Sequence, residues 1–94
     1  MNSIIKYLVE FFGTIFIIFV VLTTNTNWLA TGIATSIAIL LGKKITGAMY
    51  NPAQSISIYI NGQITKIDLI LYIFFQFLAA FVAVYAYKKF TLKQ

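Results

Sequence analysis

The sequence predicts an all-α membrane protein of three transmembrane helices plus one re-entrant half-helix. Hydrophobic residues make up 61% of the 94-residue chain and charged residues only 10%, outside the range of a water-soluble fold. The cations are all lysine, at positions 6, 43, 44, 66, 88, 89 and 93, and they sit at the ends of apolar runs, as membrane-flanking charges do. Between the second and third runs lies segment 45–62, apolar but punctuated by Gly47, Asn51, Pro52, Asn61 and Gly62. It is too polar to span a bilayer and too apolar for an ordinary solvated loop.

The first run, about 4–22, is interrupted only by Lys6 and Glu10 and is long enough to span. A secretory signal competes for this stretch. Thr23-Thr24-Asn25-Thr26 follows without an Ala-x-Ala cleavage pattern, however, and further apolar runs come after it, so the segment reads as a retained span. The second run, about 27–42, is shorter than usual, but Thr26 and Asn27 can cap its start and Lys43 and Lys44 can snorkel from its end. The third, about 66–87, closes on Lys88-Lys89, and Thr65 and Asp68 have the spacing of a capping box at its start.

Asn51 is a favoured N-cap, and Pro52 falls where a missing backbone N–H costs nothing, so a helix is expected over about 51–60. Nine residues at about 1.5 Å each give roughly 13 Å, near half the hydrocarbon thickness. A helix that short, entered through irregular backbone between two spans, reads as a re-entrant element lining a cavity. An amphipathic helix lying flat at the interface is the alternative.

The chain has no Cys and no His, which removes disulfides, thiol nucleophiles, imidazole bases and Cys-type metal sites. Glu10 and Asp68 are its only acids and are far apart in sequence, leaving no carboxylate pair for acid–base or metal chemistry. The expectation is therefore no enzyme, no cofactor and no metal. A net charge of +5 raises nucleic acid as a partner, but the lysines cap apolar runs instead of lining one face, so the partner they indicate is the lipid bilayer. The chain reads as an integral, multi-pass membrane protein, in a membrane the sequence does not name.

Glu10 lies about a turn and a half inside the first span, where a carboxylate is costly in lipid. It is expected to face the protein interior, with Gly13 and Thr14 on its side of the helix; snorkelling to the interface is the competing option. Small residues form rows on the second span (Ala30, Gly32, Ala34, Ser36, Ala38) and, beside Gln76, on the third (Ala79, Ala80, Ala83). Such rows let membrane helices approach closely. Any small membrane bundle uses them, so they speak for the fold more than for the function.

Thr46-Gly47-Ala48-Met49-Tyr50-Asn51-Pro52-Ala53 resembles the loop and half-helix start of the aquaporin and glycerol-facilitator family of major intrinsic proteins. Glu10-Phe11-Phe12-Gly13-Thr14 is similar to that family's first-helix signature, Gly32-Ile33-Ala34 stands at the expected distance ahead of the tripeptide, and Gln76 with Ala79-Ala80 resembles its third helix. The likeness runs from about Tyr7 to Tyr87 and covers half of the family's architecture of six spans and two Asn-Pro-Ala half-helices. It favours the first repeat, although Gln54-Ser55 is closer to the Arg-Ser of the second.

The resemblance implies that Asn51, Pro52 and Ala53 form the pore motif, with the Asn51 amide donating a hydrogen bond to permeating water. It gives Glu10 and Gly47 the task of supporting the loop, and Gly13, Gly32, Gln76 and Ala80 that of packing helices. The helix behind Asn51 adds a positive dipole end, and two such ends meeting at mid-membrane would repel cations and protons. The chain departs from the family in having no Arg for the outer constriction: Gln54 takes the adjacent slot, Thr31 stands where water-selective members place a bulky aromatic, and Met49 replaces a His. Thr31 and Gln54 are the candidate constriction residues.

Three spans and one half-helix do not enclose an aqueous path, so a second half is required. Two copies inserted in opposite orientations would supply it, as dual-topology dimers that assemble further, and the near-even split of lysines between the two sides permits both orientations. A separate complementary half-channel would serve equally. The expected function is a passive channel subunit for water or small neutral solutes; the alternative is a non-conducting, truncated aquaporin-like protein with a structural or regulatory pairing role.

Overall fold

The computed structural model describes residues 3–91. They form four α-helices: α1 (Ser3–Thr23), α2 (Trp28–Thr46), α3 (Pro52–Ile60) and α4 (Lys66–Thr91). Three of them, α1, α2 and α4, are long and apolar enough to cross a membrane, and α3 is a short insert of nine residues. This is the architecture of half an aquaporin-like fold, in an integral multi-pass membrane protein.

The helix ends follow from local chemistry. α1 stops in a turn where Thr26 N–H reaches back to Val21 O at 2.8 Å, and both Asn25 and Thr26 adopt positive φ. That bond closes the last turn and satisfies a carbonyl that lipid could not. Asn27 then caps α2, its Oδ1 accepting from Ala30 N at 2.9 Å. α2 continues through Lys43 and Lys44 to Thr46, past the expected end near residue 42. The stop is Gly47, whose φ of 89° lets its N–H return to Lys43 O. The lysines are favourable last-turn residues against the helix dipole, not breakers. α4 likewise runs beyond residue 87 to Thr91, since Lys88 and Lys89 suit a helix C-terminus and neither Gly nor Pro intervenes.

α1 is the central helix, packed against α2 on one side and α4 on the other, while α3 packs against α4. Lys6 Nζ lies 2.9 Å from Asp68 Oδ2, which brings the N-terminal ends of α1 and α4 together. Tyr7 donates its hydroxyl to Asp68 Oδ1 at 3.0 Å and stacks on Phe75, with Tyr72 edge-on. α1 and α4 are therefore parallel, with α2 antiparallel between them in sequence. For that to hold, the 47–65 segment must leave and return on the same side of the membrane, and the bond from Gln76, ten residues into α4, to Ser55 sets the start of α3 inside the bundle, as a re-entrant element requires.

Candidate functional site

The segment that carries the chain from α2 to α3 is backbone the membrane interior would not tolerate bare. Ala48 and Tyr50 have φ of 59° and 56°, and with Gly47 three of four consecutive residues are left-handed. Left-handed residues without a glycine cost of order 1–3 kcal/mol each and persist only where their surroundings fix them. Glu10 does the fixing. Its carboxylate is fully buried and accepts Met49 N–H at 3.0 Å and Tyr50 N–H at 2.8 Å, one on each oxygen. Successive N–H groups turned to one side by such φ alternation form a concavity for an anion, and here the anion is a side chain. Charge-assisted bonds of this kind are worth about 1.5–3 kcal/mol each, enough to offset the strain.

The knot extends into α4. Gln76 Nε2 donates to Glu10 Oε1 at 2.9 Å and to Ser55 Oγ at 2.8 Å, and Ser55 Oγ donates to Asn51 O at 3.0 Å. One glutamine thus joins the central span to the first turn of α3. Thr14 Oγ1 donates to Glu10 O at 2.7 Å, with a longer approach to Tyr50 O at 3.3 Å. Glu10, Thr14, Ser55 and Gln76 are all buried, whereas Gln76 Oε1 has no hydrogen-bond partner among the described residues.

Tyr50 is the wedge. Its side chain lies between α1 and α2, so close to both that a Cβ on Gly13 would come within 2.1 Å of the ring and one on Gly42 within 2.0 Å of the hydroxyl oxygen. Its hydroxyl donates to Ala38 O at 2.7 Å. Tyr72 makes the matching bond from α4, donating to Thr46 O at 3.2 Å.

This frame sets Asn51 at the start of α3. Asn51 Oδ1 accepts from Ala53 N at 2.8 Å and Gln54 N at 3.3 Å, and Pro52 occupies the first helical position. With its oxygen committed to the cap, the side-chain NH2 is the donor Asn51 has left to offer. Asn51, Ala53 and Gln54 are exposed, and Asn51 and Gln54 border a hollow of about 160 Å³ that Thr35 on α2 also lines. Thr31, one turn before Thr35 on the same face, does not line the hollow; its Oγ1 is buried without a partner among the described residues.

Of the packing residues, Gly13 meets Tyr50, Gln76 joins three elements and Ala80 is half-buried on α4. Gly32 is exposed, with open space where a side chain would begin, so among the described residues it packs no helix. Gly47 serves as the left-handed cap of α2, and an added Cβ there would also meet the tip of Met49. Sequence reasoning missed Tyr50, Gly42 and Ser55 as site builders. The available signal was a pair of glycines, Gly13 and Gly42, on two adjacent spans, with one aromatic in the loop after them.

The chain is similar to glycerol uptake facilitator protein-like 6 of Lactiplantibacillus plantarum, with 37% identity over 92% of this chain and 44% of that protein. It is an aquaporin-like chain. Human aquaporin-10 is 41% identical over 62% of the chain and 19% of its own length. The aquaporin-like chain thus spans less than half the length of the curated relatives it matches. No family model matches it, and no solved structure matches it.

Proposed function

We propose that this chain is a subunit of a passive channel for water or small neutral solutes, with the pore closed by a second half. The observation that supports this most directly is the orientation of Asn51. Capping takes its oxygen, leaving an amide donor at a half-helix start, beside a hollow and held at depth by Glu10. Neutral solutes with a lone pair accept from such a donor, while the helix dipole behind it opposes cations.

The exposed polar start of α3 calls for cover, because lipid satisfies no N–H or C=O group. An inverted second copy would place Asn51 against Asn51. A complementary chain would cover the same start of α3 and could also supply the Arg that this chain lacks. Lys6, Lys43, Lys44 and Lys66 lie on one side of the membrane and Lys88 and Lys89 on the other, a distribution that accepts either orientation.

Osmotic shrinkage of vesicles containing the purified chain tests conduction, and labelling of a cysteine placed at Lys89 tests orientation. Water efflux faster than in empty vesicles, with label accepted from both faces, is the expected result for an inverted homodimer. One-sided labelling removes the homodimer and leaves the complementary chain. Shrinkage no faster than in empty vesicles favours a non-conducting pairing role for the chain alone.

A further inference from the structure

The wedge that Tyr50 drives between α1 and α2 leaves an apolar groove of about 500 Å³ on the outer face of those helices, with Tyr50 in its floor. Ile5, Leu8, Phe12 and Phe16 line it from α1, and Ile37 and Leu41 from α2. From Ile5 to Phe16 a helix rises roughly 16 Å, about half of a hydrocarbon core of ~30 Å. The groove is one leaflet deep. It begins at the end of the molecule where α1 starts and α2 finishes.

At that end stands Lys44. It follows Ile37 by seven residues and Leu41 by three, so it continues the groove-lining stripe of α2 up to the membrane surface. Lys44 is exposed, and no carboxylate among the described residues pairs with it. Glu10 is committed to the loop and Asp68 to Lys6 and Tyr7. A long apolar slot of leaflet depth with an uncompensated cation at its mouth has the chemistry of a lipid with an anionic headgroup.

We propose that this groove is a binding site for an anionic phospholipid, one acyl chain lying along Phe12 and Leu41 and the headgroup phosphate paired with Lys44. A lysine near an anionic membrane surface contributes about 1 kcal/mol, so anionic over zwitterionic lipid is preferred about fivefold at the site.

The test uses the full chain in vesicles, with Trp28, its single tryptophan, replaced by Phe and a reporter introduced by Phe12→Trp, a position 61% exposed. Fluorescence quenching is read with phosphatidylglycerol or phosphatidylcholine brominated on the acyl chains at equal mole fraction in an otherwise identical bilayer. The expected result is that the brominated phosphatidylglycerol associates about fivefold better, that Lys44→Gln abolishes the preference, and that Lys88→Gln on the opposite side leaves it intact. Equal quenching by the two lipids, or a preference that survives Lys44→Gln, overturns the proposal. Quenching by neither lipid also overturns it, since a protein surface then covers the groove.

Discussion

Two asparagines begin helices in this molecule by the same chemistry. Asn27 Oδ1 accepts from Ala30 N at 2.9 Å, and Asn51 Oδ1 accepts from Ala53 N at 2.8 Å. What differs is what precedes them. Asn27 follows a short turn between two spans, closed by its own backbone bonds. Asn51 follows a left-handed loop in which the local bonds of Gly47 and Ala48 are not the whole support: Glu10 of α1 holds Met49 and Tyr50, Gln76 of α4 reaches it through Ser55, and the Tyr50 ring is lodged between the glycines. A capping residue becomes a candidate solute contact because distant side chains hold it below the membrane surface, not because of anything local to the cap.

The largest expected effect of breaking that arrangement comes from Glu10→Ala. It leaves two N–H groups of the loop and one of Gln76 buried without an acceptor, and each such donor costs about 1–3 kcal/mol. Unfolding in mixed detergent micelles measures it. Loss of the Asn27 cap by Asn27→Ala, measured in the same way, is expected to cost only about 1 kcal/mol. If the two substitutions cost the same, the dependence of the α3 start on distant support is wrong.

The glycine contacts come next. Gly13→Ala and Gly42→Ala each force a methyl group into the Tyr50 side chain, and overpacking of this kind costs about 1–3 kcal/mol. The two sites separate by chemistry: the atom nearest an added Cβ at Gly42 is the Tyr50 hydroxyl oxygen, at 2.0 Å, whereas at Gly13 it is ring carbon. Tyr50→Phe is therefore expected to relieve Gly42→Ala and leave Gly13→Ala unrelieved. A double-mutant cycle for each pair reads the difference.

The smallest expected effect lies at the surface. The Lys6–Asp68 pair, with side chains 22% and 13% exposed, joins the entry ends of α1 and α4. Lys6→Gln is expected to cost about 1 kcal/mol or less, with a weaker effect still at high salt, and without changing conduction normalised to the protein present. Loss of conduction on Lys6→Gln would tie the pore element to the surface and erase the contrast between the two helix starts.

The spans and the half-helix were legible because length, apolar content and the Asn-Pro pair are local signals. Glu10 was legible as an interior carboxylate because its depth made exposure to lipid costly. Tyr50 was not, since its role depends on Gly13 and Gly42, and nothing in sequence spacing says that one ring fills both gaps. The capping-box spacing at Thr65 and Asp68 was half realised: Asp68 N donates to Thr65 Oγ1 at 3.1 Å, but the Asp68 carboxylate is taken by Lys6 and Tyr7. Tertiary partners outcompeted the local bond. α2 ends at Thr46, beyond the expected 42, because lysines do not stop a helix and the left-handed backbone of Gly47 does.

The central claim is that solute passes the amide of Asn51, and paired substitutions at the two caps test it most directly. Aspartate keeps the acceptor that caps a helix and, when ionised, has no donor to offer. Osmotic efflux from vesicles, normalised to the helical protein reconstituted, is expected to be unchanged by Asn27→Asp and to fall to the rate of empty vesicles with Asn51→Asp. Equal efflux through the wild type and Asn51→Asp, with both faster than empty vesicles, would contradict the claim.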